Sequence, residues 1–373
     1  MINTLKQNLT LVIIIAICIA LYLVEPVPIK TIPSFVDWPT VLALSGLAIL
    51  TAAFRESGYL RLVLVKILDR DLSERALASI LILLTCGLSC IFTNDVSLFI
   101  VIPLTMGLQD YISNDLTSLV VCEAIAANTG SALTPIGNPQ NLFIWHQWGI
   151  SFFQFVYEMF PLEMLLMGLL MAFLYFLFPS EQIKIHKGPE TRRWATGLFW
   201  ASCVLMLIFL IAMELRLTGL ALLPIIFFYL VYDPQILKNS NWDLILIFVL
   251  LFILLHLLSN LPVVKSLLAC EDLNCAQELF LTGIVTSQIM SNVPAAILLS
   301  KFTDDWLILC YAVNIGGNGL VQGSLANIIA LQLAAPFIRQ QKKLWIRFHL
   351  ISVPFLFFSI LIVWLTAPFY LSR

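Results

Sequence analysis

The sequence predicts an all-α polytopic membrane protein made of two inverted repeats, and three observations carry that expectation. Of the 373 residues, 60% are hydrophobic and 11% charged, with a mean hydropathy of +0.97. Soluble domains carry about a quarter charged residues. Apolar blocks long enough to span a bilayer recur along the whole chain. Finally, polar motifs of the first half return in the second. A net charge of −2, without any Lys/Arg run, argues against nucleic acid as a partner and leaves the lipid bilayer.

The apolar blocks fall at about 9–24, 38–54, 76–107, 117–145, 159–178, 195–213, 217–232, 242–259, 276–300, 305–335 and 348–370. The first follows a short N-terminus holding Lys6, and no small-x-small cleavage site comes after it, so it reads as a retained helix. Trp38, Trp145, Trp148, Trp194, Trp242, Trp306, Trp345 and Trp364 lie near block ends, as an interfacial aromatic belt requires.

Three connections hold most of the basic residues: Arg55 to Arg75, Lys184 to Arg193, and Arg339 to Arg347. The positive-inside rule places all three in the cytoplasm. Blocks 38–54 and 159–178 must then both end inside. That is impossible if 76–107 and 117–145 each cross once. The conflict disappears if 76–107 enters from the cytoplasm, turns in mid-membrane and leaves on the same side. The same logic makes 276–300 a hairpin entering from the outer face. About nine full spans and two re-entrant hairpins result, with the N-terminus cytoplasmic and the C-terminus periplasmic.

The repeat agrees with this count. "LSCIFTNDVSLFIV" (88–101) matches "TSQIMSNVPAAILL" (286–299), with Ser89 over Ser287, Thr93 over Ser291 and Asn94 over Asn292. "NTGSALTPIGNPQNL" (128–142) matches "NIGGNGLVQGSLANI" (314–328) without gaps at Asn128/Asn314, Gly130/Gly316, Gly137/Gly323 and Asn141/Asn327. The expected organisation is a first repeat over 1–180, a connecting loop and helix over 181–215, and a second repeat over 216–373. Each repeat holds one hairpin (76–107 or 276–300) and one broken helix (117–145 or 305–335).

Irregular backbone survives in hydrocarbon only where protein or a wet cavity satisfies it. The tips "TND" and "SNV", and the breaks "NTGSALTPIGNP" and "NIGGNGLVQGS", are four such places. Freed carbonyls and Ser, Thr and Asn oxygens there can coordinate a hard cation, while half-helix N-termini can face an anion. Inverted repeats whose broken helices meet at mid-membrane are the architecture of secondary transporters.

These motifs resemble the ion-transporter superfamily, in its citrate, arsenite and NhaD-type branch. The likeness extends over nearly the whole chain and is nearest to the YbiR-type bacterial inner-membrane proteins. It implies a secondary transporter of the bacterial inner membrane that moves an anion or small oxyacid coupled to H+ or Na+. In sodium-coupled members the tip hydroxyls and Asn, with broken-helix carbonyls, bind the cation. Here those would be Ser89, Thr93, Asn94 and Gly130, matched in the second half by Ser287, Ser291, Asn292 and Gly316. Asn128, Ser131, Thr134 and Asn138 of the first break, with Asn314, Asn318 and Ser324 of the second, complete the expected ion- and substrate-binding set. No cofactor is implied beyond Na+ as coupling ion, and relatives of this kind are often homodimers.

One departure points to another cargo. Dicarboxylate carriers have Ser-Asn-Thr at the tip, and this chain has Asp95 in the first half and Val293 in the second. A bare Asp95 would repel a carboxylate. An Asp at the bilayer centre costs roughly 2.5–3.5 kcal/mol on insertion scales, so a proton- or cation-carrying role stands beside a turn-capping one. It also keeps a Na+/H+ antiporter in view. Glu123 and His256 are the candidate proton relays, while Glu158 and Glu163 read as flanking an interface. An intramembrane hydrolase would need Ser131 as nucleophile and His256 as base. No GxxxxGK[ST] motif occurs, so no ATP motor is encoded here. Six of the eight Cys sit in apolar segments as small buried hydrophobes, whereas Cys270 and Cys275 in "CEDLNC" fall on the outer, oxidising side, which leaves a local disulfide and two free thiols as the alternatives.

Overall fold

Capping residues set many helix starts, because the first backbone N–H groups of a helix need outside acceptors. The computed structural model describes residues 2–59, 72–108, 116–183, 195–269, 273, 275–338 and 340–366. Helix α1 spans Ile2–Val24, and a 3-10 segment, Ile29–Phe35, leads to α2, Trp38–Ser57. Gly58, at φ 68°, closes α2 in the left-handed region that glycine enters without strain. Ser73 caps α3, Glu74–Ile91, and α4 runs Asn94–Met106. Next come α5, Thr117–Ser131, and α6, Pro139–Trp148, whose Asn138 cap accepts from the Asn141 amide. Helix α7, Phe152–Leu177, is followed by α8, Thr196–Glu214, and α9, Thr218–Tyr232. Two-residue strands, Leu72–Ser73 and Gln182–Ile183, pair antiparallel between the starts and ends of these helices.

The second half opens with α10, Pro234–Lys238, α11, Trp242–Asn260, and α12, Pro262–Ala269. Helices α13, Ala276–Met290, and α14, Asn292–Leu299, are joined at Ser291, whose φ of 78° is unusual for a residue with a side chain. Then follow α15, Trp306–Ile315, a 3-10 turn, Val321–Gly323, α16, Leu325–Ala334, and α17, Gln341–Thr366.

Among the described residues six helical stretches are long and apolar enough to cross a membrane: Trp38–Ser57, Glu74–Ile91, Phe152–Leu177, Thr196–Glu214, Pro234–Asn260 and Gln341–Thr366. The protein is therefore a polytopic all-α membrane protein. Glu74–Ile91, read from sequence as one hairpin arm, is among those six by length. Helices α8 and α9 present Trp200, Leu207, Phe227 and Val231 outward, a surface suited to lipid. By contrast, every residue of α5 is buried.

All four expected breaks are present. The chain leaves helical geometry at Phe92–Thr93 and at Ser291, and between α5 and α6 and between α15 and α16. The packing around them is reciprocal. Helices α3 and α4 pack on α5, and α13 and α14 pack on α15. Beyond its break, α6 packs on α14, and α16 packs on α4. Each broken helix thus divides its contacts between the two helix pairs. Cys270, one of the two loop cysteines, and residues 60–71 and 184–194, which carry much of the basic charge, lie outside the described residues.

Candidate ion and substrate site

Four asparagines join the two breaks. Asn128 of α5 donates from Nδ2 to Asn327 Oδ1 at 2.9 Å and to the Gly317 carbonyl at 3.2 Å, and its Oδ1 accepts from Ser324 Oγ at 3.0 Å. The corresponding Asn314 of α15 donates to Asn141 Oδ1 at 2.7 Å, and its Oδ1 accepts from Asn138 Nδ2 at 3.0 Å. Asn138 and Ser324 are themselves matched positions of the repeat, so the Asn–Asn bond and the bond to the cap residue occur in both halves, whereas Asn314 donates to the Cys310 carbonyl of its own helix at 2.8 Å where Asn128 donates to Gly317.

The match extends to the backbone. Asn141 Nδ2 donates to the carbonyls of Ser131 and Thr134, each at 3.1 Å. Asn327 Nδ2 donates to Gly317 at 2.8 Å and Leu320 at 3.4 Å, the equivalent residues. One amide therefore ties off the carbonyls released where the helix stops, which in hydrocarbon would each cost several kcal/mol if left unpaired. All four asparagines are buried.

Each helix-pair tip closes on its own break. The Asn94 amide donates to the Gly137 carbonyl at 2.9 Å, and Ser291 Oγ reaches Gly323, the matched glycine, at 3.5 Å. A Cβ on Gly130 would sit 2.3 Å from the Cys86 carbonyl oxygen, and one on Gly316 would sit 2.6 Å from Ser287 Cβ. Glycine is required at both by close approach of α3 and α13.

A second tie differs between halves. Gln288 on α13 donates to the Gly316 and Asn318 carbonyls at 2.6 and 2.8 Å and accepts from the Leu320 amide at 2.8 Å. At the matched position of α3 stands Cys90, whose thiol reaches the Gly130 carbonyl at 3.1 Å, while its own carbonyl accepts from Thr134 Oγ1 at 2.7 Å. The second half is clamped by one amide making three bonds. The first is held by a weak thiol donor and one hydroxyl.

The expected residues separate into groups. Ser89 hydrogen-bonds Ser97 at 2.6 Å inside the first helix pair, and Ser287 donates to Gly283 along its own helix. Thr93 holds the N-cap position of α4 without a side-chain bond to its amides, and the Asp95 carboxylate lies over that first turn, beside the Thr93 hydroxyl and the Asp95 and Val96 amides and under the influence of the Arg55 charge. Asn94 Oδ1 accepts from the Asp95 amide. Glu123 is fully buried and accepts from Thr105 Oγ1. Glu163, read from sequence as an interface residue, is instead buried and accepts from Cys86 at 3.3 Å. Ser131 Oγ donates to the Asn128 carbonyl and accepts from Asn138, whereas His256 sits with Lys301 and Phe35. Their different partners leave no nucleophile–base pair. The sequence reading assigns no role to Asn141, Asn327, Gln140, Gln288 or Cys310. The first two occupy matched ends of the repeat motif, the one signal that marks them.

Several buried polar atoms stay unpaired: both side-chain atoms of Asn318, Thr129 Oγ1 and Glu123 Oε2. Among the described residues no group of three His, Cys, Asp or Glu side chains could hold a metal. A cation in this region would be held by hydroxyl, amide and backbone oxygens, the donor set of a hard ion.

Residues 2–305 match the family profile described as citrate transporter. This chain belongs to that CitMHS family. Family membership makes it a membrane transport protein and not an enzyme. The CitMHS chain is 38% identical to inner membrane protein YbiR of Escherichia coli over 360 residues, covering 96% of this chain and 95% of that one. It is 33% identical to an uncharacterized transporter of Methanocaldococcus jannaschii, over 87% of this chain and 89% of the relative. An uncharacterized transporter of Mycobacterium tuberculosis is 23% identical over 80% of this chain.

Proposed function

We propose that this CitMHS protein is a secondary active transporter that moves an anion or small oxyacid across a bacterial inner membrane, coupled to H+ or Na+ by alternating access. The reciprocal asparagine bonds between the two breaks carry this reading. They supply the same polar half-site twice, from segments matched in sequence, as two inverted repeats around one site would. On this reading α3–α4 and α13–α14 are re-entrant hairpins entering from opposite faces, with the N-terminus cytoplasmic and the C-terminus periplasmic.

Ser89, Thr93, Asn94 and the Gly130 carbonyl form the first Na+ half-site, and Ser287, Ser291, Asn292 and Gly316 its counterpart. Asn318 and Thr129, with buried unpaired atoms, are where a ligand or water would relieve the largest polar deficit. The family description supports an organic anion as cargo, and an inner-membrane location agrees with the printed name of the E. coli protein. Homodimerisation rests on the family resemblance alone.

The deciding experiment is uptake of citrate, arsenite or phosphate by proteoliposomes under an imposed Na+ or pH gradient. Gradient-driven, saturable uptake that is lost in Asn94→Ala and Asn292→Ala supports the site. Undiminished uptake in both variants refutes it. A Na+/H+ antiporter is the second reading, favoured by Asp95 at the tip of α4. It predicts Na+-dependent alkalinisation or acidification of the lumen without any anion.

A further inference from the structure

A cavity of about 260 Å³ opens beside the end of α14, lined among others by Asp37, Gln147, His256, Ser300 and Lys301. It is built from four separate parts of the chain. Ser300 is the C-cap of α14, the arm that carries Asn292, and Lys301 follows it. His256 lies on α11, stacked on Phe35 of the 3-10 segment with ring centroids 3.7 Å apart and 9° between planes. Gln147 lies near the end of α6, so both broken-helix and hairpin elements reach the same space.

Lys301 bonds only neutral groups, although the Asp37 carboxylate shares the cavity. Lys301 Nζ is 3.0 Å from His256 Nδ1 and 3.1 Å from Ser259 Oγ, and both are neutral acceptors. No carboxylate among the described residues forms an ion pair with it. Asp37 lines the same cavity, but its Oδ2 accepts from Thr40 Oγ1 at 2.5 Å. Desolvation lowers the Lys301 ammonium to about 8. A cation whose own hydrogen-bond partners are all neutral gains from a diffusible anion. The Gln147 amide on the same wall is a further donor, while the Ser34 and Ser300 hydroxyls there donate to the Thr31 and Ile297 carbonyls.

We propose that Lys301, with His256 and Gln147, forms a capture site for small oxyanions or carboxylates on the outer face, separate from the asparagine site. It stands one helix from the tip. Helix α14 has eight residues, about 12 Å at 1.5 Å per residue, between the cavity and Asn292. An anion held here is concentrated at the mouth of the outer hairpin, as a cationic funnel raises local substrate concentration. The outer placement rests on the proposed topology and the purpose on the anion reading. The binding itself rests on the cavity.

The test is acetylation of the full-length protein by sulfo-NHS-acetate at pH 7.5, read at Lys301 by mass spectrometry. Right-side-out vesicles are labelled with and without citrate, sulfate or phosphate. A lysine shifted toward 8 reacts ahead of ordinary surface lysines, and a bound anion protects it. Expected are labelling from the outside and at least a threefold reduction by one of the three anions. Protection should persist in Asn292→Ala and weaken in His256→Gln. Labelling unaffected by all three anions, or labelling only from the cytoplasmic side, overturns the proposal. Protection in Asn292→Ala together with undiminished uptake would refute the asparagine site and leave this one standing.

Discussion

Asn128 and Asn327, far apart in sequence, meet through a 2.9 Å Nδ2–Oδ1 bond, and Asn314 and Asn141 repeat the arrangement at 2.7 Å. Removing one partner orphans a buried amide, which costs about 1–3 kcal/mol. Asn128→Ala and Asn327→Ala should each lower the unfolding free energy in detergent by about that amount. The double variant should lose less than the sum, with a coupling of roughly 0.5–3 kcal/mol. Strict additivity in the denaturation midpoints would mean that the pair does not act as a unit.

Gly130 and Gly87 lie on opposite sides of the close-packing criterion. Gly130→Ala places Cβ against the Cys86 carbonyl, while a Cβ at Gly87 meets nothing within 4 Å. Gly130→Ala is expected to destabilise by about 1–3 kcal/mol and stop transport, because overpacking forces backbone shifts. Gly87→Ala should be neutral or slightly stabilising in the helix. Equal behaviour of the two variants, by thermal unfolding and uptake, would contradict the described contact.

Asp95→Asn keeps the shape of the α4 turn and removes the charge. If Asp95 carries the coupling proton, uptake under a pH gradient becomes independent of external pH while binding of the cargo persists. A wild-type pH profile in this variant transfers the role elsewhere.

Glu123 is the next candidate. Glu123→Gln retains an acceptor for Thr105 Oγ1, so the fold should hold. Proton-driven uptake should fall roughly tenfold or more, about 1.4 kcal/mol of barrier. Unchanged uptake would leave Glu123 a structural hydrogen-bond acceptor.

Topology can be checked at the exposed Gly107 that ends α4. On the re-entrant reading, Gly107→Cys reacts with a membrane-impermeant maleimide from the cytoplasm only. Reaction from the outer face would make α3 and α4 together a single crossing.

The breaks were legible in the sequence because Gly, Pro and Asn stand out inside apolar runs. Asn128 and Asn314 were legible because they repeat. Asn141 and Asn327 were harder: they fall where helix has resumed, so their role as acceptors for the opposite break depends on tertiary approach. Gln288 and Cys90 were hidden for another reason. They are unlike residues at matched positions, and a repeat advertises only what it conserves. The short strand pair of Leu72–Ser73 with Gln182–Ile183 left no period to read. Glu163 misled because an acid among apolar residues suggests an interface, while its partner, Cys86, lies on another helix.

The crossed amides also bear on how such a protein can be assembled. Asn128 satisfies its side chain on α16 and Asn314 satisfies its own on α6, so neither half holds a complete set of partners. A half translated alone would carry orphaned amides into the bilayer, as an obligate subunit does without its mate. The two halves are in effect a heterodimer written on one chain. A version severed between α7 and α8 should be recovered only when both fragments are made together.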